Sequence, residues 1–410
     1  MNSSYKSSGQ EGGSWICLYL ICMCLRERFE ICQNHLCRAS SIICKTGRLQ
    51  DSQTRNEVGI MYENVMDWLL EKNNPMVRYN TLIHLMDQPS TDPEVEEARS
   101  HMMISPPIAN IFKKQNDDGG FVTQKIIEKY GSEEARFGYV PKYKATTWQL
   151  SFLAQAGVPC DARIKALCEF IMRNTFNEEL GAFGQIVQTR KGLQREVMPC
   201  LNGRMVWALS TYGFGHRKEV RKSFEFLTAY QRFDDGDFSG GDAWPYKDWS
   251  GNYCWGSASC FTGVSEFLRA LTAVPETYMT PAAHEARDQA IDFMVRHRVL
   301  HRVLKQGSRG FPAKSTHRFG EMDWLLRLHA PLILCDAVET VTSLARLGVT
   351  DTALDEPINR ILAKRNETDR WILEYTPSSM YGRWGKKGKE NKWITFRILR
   401  MLKEMHRSHT

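Results

Sequence analysis

The sequence predicts an all-α fold of repeated helix pairs, arranged as an α-solenoid or a closed α/α ring. Three observations lead there. A turn made of Gln, a short gap, Asp-Gly and an aromatic occurs at Gln115–Phe121 (QNDDGGF) and again at Gln231–Phe238 (QRFDDGDF). Each turn is answered downstream by an apolar helical stretch, TTWQLSFLAQAG from Thr146 and CFTGVSEFLRAL from Cys260. No run shows sustained β alternation, which argues against a parallel sheet.

Residues 1–60 carry neither the repeat nor an amphipathic period. The sequence reads them as an upstream extension outside the folded domain, which then spans 61–410. Trp15–Leu25 is apolar but about half the length a bilayer span needs, leaving a signal or anchor segment as the other reading. From Met61 the period is helical, with Trp68, Leu69, Val77, Leu82 and Leu85 on one face. Pro106-Pro107 opens a short helix that runs into QNDDGGF, and a charged loop then leads to TTWQLSFLAQAG.

The next pair begins at Asp161, which suits a helix N-cap, and its second helix ends at Gly213. The third pair is VRKSFEFLTAY with CFTGVSEFLRAL, and the fourth is ARDQAIDFMVRHRVL with a helix ending at Gly348. The fifth is TALDEPINRILAK with the closing NKWITFRILRMLKEM. Gly157, Gly213 and Gly348 are helix stops by type and position. About 56 residues separate Gly157 from Gly213, because each turn carries a loop.

Apolar residues make up 42% of the chain and charged residues 25%, the make-up of a protein with a sizeable core. From Tyr375 onward nine Lys and Arg face only Glu390 and Glu404, so this tail accounts for the whole net charge of +7. A nucleic-acid footprint over the whole molecule is therefore not expected, and one local anion-attracting patch is. The tail sequence RWGKKGKENKW suits a diphosphate or simply a solvated loop. Six of the twelve cysteines lie between Cys17 and Cys44, and the rest are scattered through helical segments. That scatter suits a reduced, cytoplasmic compartment.

The repeated turn and the glycine-terminated helices resemble the squalene-cyclase and protein-prenyltransferase superfamily over about Met61–Lys403. The likeness is greatest to single-domain, terpene-cyclase-like members from bacteria and archaea. It implies a single α/α toroid of about ten to twelve helices with an aromatic central cavity. Degraded copies of the turn stand at Asn174–Phe183, Gln306–Phe311 and Asn366–Trp371.

The resemblance further implies an isoprenoid or other apolar small molecule as ligand, with peripheral membrane contact in keeping with it. Cyclases of the family carry an acid that protonates an alkene or epoxide. Asp-x-Asp-Asp is absent here, and Ser259 replaces the Asp of the sterol-type motif around Cys260. Cys335-Asp336-Ala337-Val338-Glu339 comes closest, so Asp336 and Glu339 are the candidate acids, with helix N-cap as the competing role for Asp336. Prenyltransferases hold zinc through Asp-x-Cys and a later His. That implies zinc as the candidate cofactor, with Cys200, Cys254, Cys260 and His301 as ligands and Ala258 where the Asp would stand. Buried cysteines as small apolar fillers are the alternative. Trp148, Trp207, Tyr253, Trp255, Phe261 and Trp393 are the aromatics expected against the ligand. The rival functions are a non-catalytic lipid- or peptide-binding toroid and a zinc-dependent prenyl-transfer subunit.

Overall fold

A computed structural model describes residues 65–189, 192–235, 259–302 and 320–408. The chain divides into two units, Met1–Gly59 and Ile60–Thr410, and every described residue belongs to the second. That unit is mostly helical. Its helices are α1 (Pro75–His84), α2 (Pro93–Ile104), α3 (Ile108–Phe112), α4 (Gln124–Tyr130), α5 (Ser132–Arg136), α6 (Thr146–Gln155) and α7 (Ala162–Thr175). They continue with α8 (Pro199–Thr211), α9 (Lys218–Tyr230), α10 (Phe261–Leu271), α11 (Pro281–Arg296), α12 (Ala337–Arg346), α13 (Asp355–Leu362) and α14 (Lys392–Arg407). Among the described residues no helix is long and apolar enough to cross a membrane.

The expected boundaries hold where capping chemistry fixes them. Asp161 accepts hydrogen bonds from the Arg163 and Ile164 amides and opens α7. Gly157, Gly213 and Gly348 all adopt positive φ just past α6, α8 and α12, the C-terminal reversal that glycine makes at least cost. Two features were not foreseen. The charged loop after Phe121 holds α4 and α5; α4 buries none of its residues, so it carries no apolar stripe to read, only the Thr123 cap on Ile126. Strands are also present, in three antiparallel pairs: β1 (Phe176–Asn177) with β2 (Ala182–Phe183), β3 (Gln185–Thr189) with β4 (Gly192–Glu196), and β5 (His301–Arg302) with β6 (Gly320–Glu321). The two-residue arms of the first and third pairs are too short to show a period of two.

The helices fall into two kinds. The first helices of the pairs, such as α7 and α9, bury one stripe and expose the other face. The second helices are buried on nearly every side: all ten residues of α6 are buried, and α8, α10, α12 and α14 are close to that. These second helices are neighbours in chain order. α6 packs on α8, α8 on α10, α10 on α12, and α12 on α14, while α14 packs on α1. The closest approach is α8 to α10, where a Cβ on Gly203 would meet the Glu266 carbonyl oxygen at 2.8 Å. Asn80 of α1 then donates to the Ala156 carbonyl at the end of α6 at 2.8 Å.

The turn motif seats each pair. Gln115 Nε2 donates to the Gly119 and Arg163 carbonyls at 3.1 and 2.9 Å, tying the turn to the start of α7. The amide of Phe121 donates to Thr146 Oγ1 at 3.1 Å. The same docking recurs twice: Phe183 N–H to Asn202 Oδ1 at 3.0 Å, and Trp371 N–H to Thr395 Oγ1 at 3.2 Å. In each case the aromatic is held by a side chain in the first turns of the buried helix. Phe238 and Gln306–Phe311 lie outside the described residues.

Candidate functional site

The buried helices carry charges where their apolar neighbours leave no water to receive them. α8 supplies Arg204, α10 Glu266 and Arg269, α12 Glu339 behind its cap Asp336, and α14 Arg397; all but Glu339 are less than a tenth exposed. Buried charges persist only when paired, and here the pairing runs from helix to helix. Arg204 Nε meets Glu266 Oε1 at 3.4 Å, and Arg269 Nη1 meets Glu266 Oε2 at 3.5 Å. Arg269 Nε then meets Glu339 Oε1 at 3.0 Å, and Arg397 Nη2 meets Glu339 Oε2 at 3.4 Å. Arg397 also grips Asp336 with two parallel N–H donors at 2.8 and 2.9 Å, the forked geometry of the strongest guanidinium pairs.

An aromatic arc continues the line. Arg397 Nη1 donates to the His329 carbonyl at 3.4 Å. The His329 ring stands edge-on to Tyr375 at 5.4 Å, and Tyr375 neighbours Tyr143, whose ionisation it disfavours. Tyr143 meets the edge of Trp148 at 5.0 Å, and the Arg204 guanidinium lies 4.6 Å from the Trp148 ring centre. The circuit of contacts is thereby closed, drawing on α6, α8, α10, α12, α14 and the loops before α6, α12 and α14. Three guanidinium groups and three carboxylates alternate within it.

The electrostatics follow from this packing. Burial pushes the Glu339 carboxyl up, but Arg269, Arg397, Arg346 and Arg400 together outweigh it and hold it down at about 2. Burial pushes the His329 imidazole down, with Asp336 opposing. The Tyr143 hydroxyl is raised by burial and by its neighbour Tyr375.

Asp336 opens α12 as a true N-cap, accepting from the Glu339 amide at 2.8 Å. Both of its oxygens also accept from Arg397. Trp148 and Trp207 belong to the cluster, but each presents a ring to a guanidinium, Arg269 lying 3.4 Å from the Trp207 centre. One face of each is thus committed to a resident cation. Phe261 packs instead against Phe293 and His297 on and after α11, and Trp393 against Trp384 and Phe396. Tyr253, Trp255 and Cys254 lie outside the described residues.

Cys260 is the N-cap residue of α10 and Cys200 lies in the first turn of α8, both half-buried. His301 is bonded to Glu356 at 2.7 Å. Among the described residues no group of three or more His, Cys, Asp or Glu side chains is placed to hold a metal ion.

Arg204, Glu266, Arg269, Arg397, His329, Tyr143 and Tyr375 were not singled out from the sequence as site residues. The signal available was a charge pair at helical spacing inside an apolar helix: Glu266 with Arg269, and Asp336 with Glu339. Compared with known proteins, the chain matches no family model and no curated protein.

Proposed function

We propose that Ile60–Thr410 forms a closed α/α toroid of the squalene-cyclase and protein-prenyltransferase kind, binding an isoprenoid or other apolar small molecule inside the circuit. The neighbour order of the buried helices supports the ring, since α1 meets both α14 and the end of α6. The closed circuit carries the functional reading: five buried helices direct side chains to one another at one level of the fold. Its aromatic arc suits a hydrocarbon, and its paired charges fix orientation without requiring a charged ligand. A cytoplasmic location belongs to the same reading.

Within it, Asp336 positions Arg397 and caps α12, and does not deliver a proton. This favours a binding protein over a cyclase that uses this acid. The test is to titrate the full chain with squalene, oxidosqualene and geranylgeraniol, following tryptophan fluorescence, and to search the same mixtures for cyclised products. Saturable quenching without product is expected. A product formed by the wild type and lost in Asp336→Asn at unchanged fold would overturn the assignment of Asp336, and no saturable response to any of the three would overturn the binding reading.

A further inference from the structure

A second electrostatic feature lies toward the C-terminal ends of α12 and α14, beyond the circuit. Four cations gather there among the described residues, Arg346, Arg400, Lys403 and Arg407, against two carboxylates, Glu404 and Asp87. Glu404 Oε1 is committed to Arg346, which reaches it through Nε at 3.2 Å and Nη2 at 2.9 Å. Asp87 is shared by Lys403 at 2.7 Å and Arg407 at 2.6 Å. The next carboxylate, Glu339, is bound to Arg269 and Arg397.

Arg400 is left with the poorest partner. Its Nε stands 3.9 Å from Glu404 Oε1, is buried, and makes no hydrogen bond among the described residues. The Arg400 and Arg346 side chains are 23% and 29% exposed, so a small ligand can reach them from solvent. Two neighbouring groups register the same surplus. His84, whose ring lies 6.2 Å from Phe396 of α14, is pushed down to about 2 by burial and by Arg400, Arg346, Lys403 and Arg407. Arg400 itself is brought down to about 9 by burial and by Arg346, with Glu339 and Glu404 opposing.

We infer that Arg346 and Arg400 form an oxyanion site that takes a phosphate-bearing ligand. Two guanidinium groups share the single carboxylate of Glu404, which leaves the pair with a net positive charge suited to a phosphate. Two guanidinium groups from adjacent helices supply the planar N–H donors that phosphate oxygens accept. The ligand neutralises a repulsion that the folded chain otherwise carries, so binding and stability are linked.

The experiment compares thermal unfolding of the full chain in rising inorganic phosphate with chloride at matched ionic strength. A parallel arm uses a soluble lysophosphatidic acid against its uncharged monoacylglycerol. A saturable, phosphate-specific rise in Tm is expected. A response to inorganic phosphate assigns a free oxyanion, and a response to lysophosphatidic acid alone assigns a lipid head group. Arg400→Gln should weaken the response about tenfold or more. Glu404→Gln removes the competing carboxylate and should strengthen it, a change of opposite sign that stands even if Arg400→Gln folds poorly. A wild type that responds to neither ligand beyond its control, or a Glu404→Gln chain that binds more weakly, overturns the site.

Discussion

The carboxylate of Asp336 caps a helix and holds a guanidinium at once, and substitution separates the two tasks. A cap alone would let Asn replace Asp almost freely. Here Asp336→Asn leaves Arg397, 8% exposed, with a neutral amide and only the longer 3.4 Å contact to Glu339, so a loss of about 3 kcal/mol is expected. Asp336→Ala should lose about 1 kcal/mol more, because the cap goes too. Urea unfolding of both variants checks this, and a neutral Asn variant would show that the ion pair adds nothing. The cap was legible in the sequence, since Asp336 stands at the start of an apolar helix. The ion pair was not, because Arg397 lies 61 residues on, within a tail read as a diphosphate site or a solvated loop.

Titration adds a second expectation at this scale. His84 and Glu339 both titrate lower when folded, at about 2, than their ordinary values of 6.5 and 4.5. A depressed pKa means that the unfolded chain binds the proton first, so stability is full above the unfolded value and falls as pH drops. The loss begins near 6.5 through His84, and Glu339 joins near 4.5. In His84→Gln, the decline between those two values should flatten while the decline below remains. Tm measured from pH 8 to about 4 separates them, and an unchanged slope in the variant would rule His84 out.

At the scale of the element, the turn is the unit that repeats. Gly119 has φ 89°, and a Cβ there would lie 2.2 Å from the Ala166 carbonyl oxygen. Gly213 has φ 85° with nothing within 4 Å of that position. Gly119→Ala should therefore cost well over the about 1 kcal/mol of backbone strain expected for Gly213→Ala. Equal losses in denaturant unfolding would show that the close approach does not matter. Thr395→Val removes the acceptor of the buried Trp371 amide and should cost about 1–3 kcal/mol. The glycine stops and the Gln-to-aromatic turn could be read because their chemistry is local. The short hairpins and α4 could not: the arms of two hairpins are two residues long, and α4 buries none of its residues.

At the scale of the molecule, the chain brings α1 and its last described helix, α14, together. Lys403 of α14 donates to the carbonyls of His84 and Leu85 at the end of α1, at 3.0 and 2.8 Å. Gln155 at the end of α6 exchanges two hydrogen bonds with the backbone of Leu332, both at 2.9 Å and 177 residues away. Repetition in the sequence told that helix pairs recur, and the resemblance added the expectation of a ring. What no repeat shows is which polar residues of successive buried helices meet, because Glu266 finds Arg204 and Arg397 finds Asp336 only after packing. The charges fell inside helices that otherwise read as core, and a paired charge there leaves the apolar pattern almost unaltered.

The reading of this circuit as the wall of a ligand site is tested most directly by native mass spectrometry of the full chain, purified without detergent and then incubated with geranylgeraniol. The account predicts a folded species heavier than the bare chain by one small apolar molecule, released on denaturation and much reduced in Trp148→Ala. A wild-type chain that stays at its bare mass before and after incubation would contradict it.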